Sequence, residues 1–199
     1  MIREFHLADF LTLGNAACGV GAVFLAMLYV ESKAPVHFFI ACALAPCAFA
    51  FDVFDGRVAR ASGRSSALGP DLDSLADVVS FGVAPAAIGF AAGMRGGWDA
   101  AILVYFVCCG VSRLARFNVT AEKLSEGGDK VKYFEGTPIP TSVVIVGILA
   151  WAAWQGRIDG ANLWGGAWTL GPCVLHPLVL LYAVSGTLMI SKTLRIPKP

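Results

Sequence analysis

Between residues 52 and 77 the chain reads DVFDGRVARASGRSSALGPDLDSLAD, with five aspartates and three arginines, while its long segments elsewhere carry no charge. On a helix, Asp52, Asp55, Gly56, Ala59 and Arg60 stand at i, i+3, i+4, i+7 and i+8 and share one face. Gly69, Asp73 and Asp77 stand at i, i+4 and i+8 of a second face, which continues to Ser80 and Ala84. Asp71 falls out of this register and reads as a helix N-terminal or surface residue. The small polar residues 61–68 predict a turn that makes the two helices antiparallel neighbours, with opposed aspartate faces.

Four carboxylates brought together repel one another and resist leaving water. An aspartate at the centre of a membrane helix costs roughly 2.5–3.5 kcal/mol on insertion scales. Such a cluster is stabilised by protonation or by cations. All-oxygen donors suit Mg²⁺, Mn²⁺ or Ca²⁺. Two such ions about 3.5–4 Å apart are a recurring device for displacement at phosphorus. Arg60 supplies a guanidinium for a phosphate. Gly56, Ala59 and Gly69 keep the same surface low enough for a flat base or a ligand backbone to approach.

The elements that must hold these residues read as membrane helices. The 199 residues are 57% hydrophobic and only 15% charged, and mean hydropathy is +0.69. Residues 10–30, 34–51, 78–94, 100–112, 136–156 and 160–191 contain no Asp, Glu, Lys or Arg. Extending the two shorter runs into their polar flanks predicts an all-α polytopic membrane protein. Its six spans fall near 10–30, 35–55, 72–93, 98–117, 138–156 and 171–190. With the N-terminus inside, twelve Lys and Arg fall on one side and Lys33, Arg95 and Arg157 on the other. That asymmetry predicts cytoplasmic termini and a cytoplasm-facing aspartate cluster in the cell membrane.

No linker or repeat divides residues 1–199, which read as one domain. The first apolar run is too long for a signal peptide and has no clear cleavage site. The cysteines Cys18, Cys42, Cys47, Cys108, Cys109 and Cys173 all lie in apolar runs without a CxxC pair, so they read as packed thiols. No basic tail points to nucleic acid.

The pattern D52-x2-D55-G56-x2-A59-R60-x8-G69-x3-D73-x3-D77 resembles the complete signature of the CDP-alcohol phosphatidyltransferase family. The resemblance implies an enzyme that takes a CDP-linked lipid, with an alcohol attacking the lipid-side phosphorus and CMP leaving. It implies two divalent cations (Mg²⁺ or Mn²⁺, with Ca²⁺ a further candidate) at Asp52, Asp55, Asp73 and Asp77. It also implies Asp77 as base for the acceptor hydroxyl, and Asp52, Gly56, Arg60 and Gly69 around the CDP group, with Ala59 on the same face. The family tends to form homodimers, and GFAAG at 89–93 is a small-xxx-small candidate contact.

The stretches LTLGNAACG (11–19), DSLADVVSFGVAPA (73–86), SRLARFNV (112–119) and YFEGTPIPTS (133–142) resemble the membrane-embedded phosphatidylserine synthase branch of that family. This implies CDP-diacylglycerol and L-serine as substrates, with phosphatidylserine and CMP as products. A zwitterionic acceptor needs partners of both signs. Arg113, Arg116 and Asn118, and Glu135 for the ammonium, are the candidates, beside a positive-inside reading of the arginines. Lys130 and Lys132 read as solvated or headgroup-facing. Asn15 and Ser80 are candidate contacts to the CDP-lipid or to a neighbouring helix.

A sibling enzyme using glycerol 3-phosphate, inositol phosphate or choline remains an alternative, because Arg64, Arg113 and Arg116 offer a basic pocket. A divalent-cation transporter is the alternative from another class. Spans two and three carry no matching acids at their other ends, which favours a surface-accessible catalytic site.

Overall fold

The computed structural model describes residues 6–62, 68–127, 133–159, 162–191 and 195–197. The chain is mostly helical. Four helices are long and apolar enough to cross a membrane. They are α1 (Leu7–Ser32), α2 (Pro35–Ser62), α3 (Gly69–Ala91) and α4 (Gly97–Gly127), whose apolar part is Gly97–Val119. Two shorter apolar helices follow, α5 (Ile139–Trp154) and α6 (Pro177–Ile190), each opening with a 3-10 turn.

Helix α1 is the spine. Its buried residues, Asp9, Thr12, Asn15, Gly19, Ala22, Ala26 and Tyr29, recur every three or four positions and form one seam. Gly19 on this seam lets α3 approach closely, while Gly14 and Gly21 of the same helix face Phe51 and Leu44 of α2. Helices α4 and α6 make the other extensive pair, with Phe106 edge-on to Tyr182. The outer surface is apolar: Phe24, Met27, Val104, Val144, Trp151, Trp154 and Val184 are all exposed. Exposed apolar side chains around a bundle of long apolar helices are the arrangement of a lipid-facing surface.

Several expectations change. Helices α2 and α3 are not each other's main neighbours; both pack chiefly on α1. Residues Val78–Val83 of α3 are a π-helical segment rather than regular α-helix. The last helix begins at Pro177, not near 171, because Trp168–Leu170 (β2) and Cys173–Leu175 (β3) pair as an antiparallel hairpin. Gly171, at φ +63°, supplies the left-handed turn inside what reads as one apolar run. A second short pair joins Tyr133–Glu135 (β1) to Arg195–Pro197 (β4).

The end of the bundle away from the aspartates is tied by polar contacts. Asp159, at φ +75°, accepts from the Tyr29 hydroxyl (2.9 Å) and Lys33 Nζ (2.6 Å), and its N–H donates to the Ala92 carbonyl (2.7 Å). Buried Asp99 accepts from the His176 main-chain N–H and shares a 2.6 Å contact with His176 Nδ1, fastening the β2–β3 hairpin to the start of α4.

Candidate active site

The aspartates meet at one end of the bundle. Asp52, Asp55 and Asp73 each present a carboxylate oxygen, and these three atoms lie within 4.8 Å of one another. Asp52 and Asp55 come from the last turns of α2, and Asp73 from the first turns of α3, so the acids converge across a gap. Asp55 is buried; Asp52 and Asp73 are half-buried. Asp73 Oδ1 is buried with no protein hydrogen-bond partner. No Lys or Arg forms an ion pair with these acids among the described residues. A buried, unpartnered carboxylate oxygen beside two further carboxylates is a donor set for a hard divalent cation.

Asp77 lies one helical turn further along α3, 7% exposed and within electrostatic reach of Asp52 and Asp73. Its Oδ1 accepts from the Asn15 amide at 3.3 Å. Arg113 of α4 lies within electrostatic reach of Asp77. This guanidinium is 8% exposed, and its Nε is buried without a protein partner. A cation held this deep, with a donor still unused, is placed to bind an anionic group.

A cavity of about 250 Å³ opens beside the acids. Its wall is built by Asp55, Gly56 and Ala59 of α2, Gly69, Pro70 and Asp73 of α3, and His6, Ala8, Asp9 and Thr12 around the start of α1. The small residues of both aspartate faces therefore line one space, as their register predicts. A methyl group on Gly56 would meet only the Arg60 guanidinium, at 3.6 Å, so the missing side chain leaves this wall low. Arg60 is exposed at the last turn of the apolar part of α2.

Other expected residues fall differently. Asn15 is fully buried and points at Asp77, with its Oδ1 unpartnered. Ser80, also fully buried, donates to the main-chain carbonyl of Asn15 at 2.8 Å. Asn118 accepts from the Ser74 hydroxyl at 3.1 Å and so links α3 to α4. Arg116 turns to the Ile190 carbonyl at 3.5 Å. Asp71 is exposed in the first turn of α3, away from the cluster. Arg64, Lys130, Lys132 and the Glu135 side chain lie outside the described residues. The GFAAG motif is used within the chain: a methyl on Gly89 would sit 2.7 Å from the Tyr182 hydroxyl of α6.

Two further residues of α1 reach the site. Asp9, 4% exposed, lines the cavity and accepts from the His6 main-chain N–H at 2.7 Å, which caps α1. Thr12 donates to Asp55 Oδ2 at 2.7 Å. Their signal was present in the spacing of polar residues Asp9, Thr12 and Asn15, three apart on an otherwise apolar helix.

A sequence profile of the CDP-alcohol phosphatidyltransferase family matches residues 5–189. The Saccharomyces cerevisiae CDP-diacylglycerol–serine O-phosphatidyltransferase is 44% identical over an alignment that covers all of this chain and 73% of its own length. The Mycobacterium leprae protein of the same name is 40% identical over 65% of this chain and 43% of its own. The archaetidylserine synthase of Methanothermobacter thermautotrophicus is 39% identical over 70% of this chain and 55% of its own. The chain thus spans nearly three quarters of the yeast protein and about half of the other two.

Proposed function

The chain belongs to the CDP-alcohol phosphatidyltransferase family, and from that premise we propose that it transfers a phosphatidyl group from CDP-diacylglycerol to the hydroxyl of L-serine, releasing CMP. The observation that carries this is the convergence of Asp52, Asp55 and Asp73 within 4.8 Å, with Asp77 in electrostatic reach of all three and Arg113 in reach of Asp77. The serine acceptor rests on the relatives, whose names differ in the lipid but agree on serine.

Asp52, Asp55 and Asp73, joined by Asp77, would hold two divalent cations, Mg²⁺ or Mn²⁺. Bound there, such ions neutralise the diphosphate and stabilise charge on the phosphoryl and CMP oxygens. The chain's own groups supply the rest. The low wall of Gly56, Ala59 and Gly69 admits the CDP group, and Arg60 at the rim pairs with a phosphate oxygen. Asp77 Oδ1 is occupied by Asn15, so its second oxygen takes the proton of the attacking hydroxyl. Arg113 binds the acceptor carboxylate and holds the hydroxyl near Asp77. Asn118 is engaged with Ser74 and Arg116 reaches the Ile190 carbonyl through one nitrogen, so Arg113, in electrostatic reach of Asp77, is the main anion partner. The attack is direct and in line, with no covalent enzyme intermediate.

Six spans with cytoplasmic termini, a cytoplasm-facing site in the cell membrane and a homodimer complete the proposal. The twelve-to-three distribution of basic residues supports the orientation. The test is CMP release from CDP-diacylglycerol by purified protein with Mn²⁺ or Mg²⁺ and a panel of alcohols. Release with serine is expected. No release with any acceptor overturns the enzyme reading; release with glycerol 3-phosphate but not serine overturns the acceptor.

A further inference from the structure

Helix α1 carries none of the signature aspartates, yet it touches one from each half of the cluster. Thr12 and Asn15 are 5% and 0% exposed on the seam of α1. The Thr12 hydroxyl stands 2.7 Å from Asp55 Oδ2 and 3.1 Å from the Ala8 carbonyl. It has one proton, and the shorter, charge-assisted contact to Asp55 is the stronger acceptor. The Asn15 amide reaches Asp77 Oδ1 at 3.3 Å.

The backbone is arranged to make this reach possible. Asp77 ends the regular α-turns of α3, and the π-helical segment Val78–Val83 follows directly. Both Asp77 and Ser80 face α1 at this junction, and Ser80 Oγ donates to the Asn15 carbonyl. One helical turn along α1, Gly19 lies so close that a methyl group there would be 2.8 Å from Ser80 Cα. Main-chain contact at Gly19 and two side-chain contacts at Asn15 therefore set the α1–α3 separation together.

We propose that Thr12 and Asn15 are positioning residues that clasp the two aspartate-bearing helices, fixing Asp55 from α2 and Asp77 from α3, with Ser80 and Gly19 setting the distance. This rests on the reading of the aspartates as a cation and base site. Both donors are neutral, and that matters. A Lys or Arg here would compete with divalent cations for the carboxylates. A hydroxyl and an amide each orient one oxygen without bringing a positive charge to the site. Asn15 and Ser80 thus act through the acids rather than on the nucleotide.

The test uses Thr12→Val, which keeps the shape and removes the donor, Thr12→Ser, which restores the hydroxyl, and Asn15→Leu. Mn²⁺ affinity is read by electron paramagnetic resonance on the detergent-solubilised protein without lipid. Values of kcat and KM for CDP-diacylglycerol, and thermal unfolding, are measured in parallel. Thr12→Val is expected to bind Mn²⁺ about tenfold more weakly and to lose about tenfold in kcat. Its KM for the CDP-lipid should stay close to wild type, and Thr12→Ser should recover both losses. Asn15→Leu should lose kcat with little change in KM. A rise in KM alone would mark nucleotide contacts and overturn the clasp. Unchanged Mn²⁺ binding and kcat would also overturn it, as would activity lost only in step with fold, with Thr12→Ser no better than Thr12→Val. If the wild-type protein releases no CMP, the functional reading fails while the Mn²⁺ comparison still decides the clasp.

Discussion

Gly19→Ala is the sharpest structural perturbation of the site, because it alters no polar group. The added Cβ would lie 2.5 Å from Ser80 Oγ, 2.8 Å from Ser80 Cα and 3.0 Å from its main-chain nitrogen. The hydroxyl can rotate, but the backbone atoms cannot. Reaching the 3.4 Å lower edge of ordinary contact from 2.8 Å requires α1 and α3 to part by about 0.6 Å. Applied to the 3.3 Å Asn15–Asp77 contact, that shift opens it to about 3.9 Å, beyond hydrogen-bonding range. Overpacking of this kind costs about 1–3 kcal/mol. Loss of the partner that orients Asp77 should lower CMP release about tenfold or more. Thermal unfolding in detergent and the CMP assay read the two effects on one preparation. Gly147→Ala is the control, since a methyl there meets nothing within 4 Å. If Gly19→Ala unfolds and turns over like Gly147→Ala, the close approach of α1 and α3 does not set the site.

Three further outcomes follow from the same geometry. Asp77→Asn should reduce CMP release by about 10²–10⁴-fold while Mn²⁺ binding persists through the other three aspartates, and near-normal turnover would remove Asp77 as the base. Chelation should abolish CMP release, and added Mn²⁺ or Mg²⁺ should restore it; undiminished release after complete metal removal would exclude a cation role for Asp52, Asp55 and Asp73. Gly136→Ala should cost about 1 kcal/mol or more in thermal stability, because Gly136 holds φ +76° and an added Cβ would collide with the Met189 carbonyl; an unchanged unfolding temperature would refute that account.

The aspartate cluster was legible because its carboxylates sit on regular helix. The spacing of Asp52, Asp55, Gly56 and Ala59 is a statement about one face, and the structure puts Asp55, Gly56 and Ala59 on one cavity wall. What periodicity cannot carry is a break in periodicity. The π-helical segment after Asp77 is such a break, and nothing in VVSFGV distinguishes it from an apolar α-turn. The β2–β3 hairpin was hidden for a related reason. Its residues are apolar like their surroundings, and only Gly171 marks the turn. GFAAG is a different case. The small-residue spacing is real, but the partner it admits is Tyr182 of the same chain, and spacing alone does not say which helix approaches.

The place of α1 follows from electrostatics. Two helices that each present aspartates at one end repel there, so their own packing cannot hold them in register. The structure gives α2 and α3 a common main neighbour beside their own lighter contact, Phe49 against Phe81. That neighbour needs two properties at once. It must be slim, so that two helices can approach it closely, which Gly19, Ala22 and Ala26 provide. It must also offer neutral donors at the level of the acids, which Thr12 and Asn15 provide. A helix with larger residues would widen the gap across which the carboxylates must meet, and one with cations would occupy the carboxylates itself. The sequence between Asp9 and Ala26 satisfies both demands while containing none of the signature residues. The aspartates by themselves therefore do not account for what holds their helices apart by the right amount.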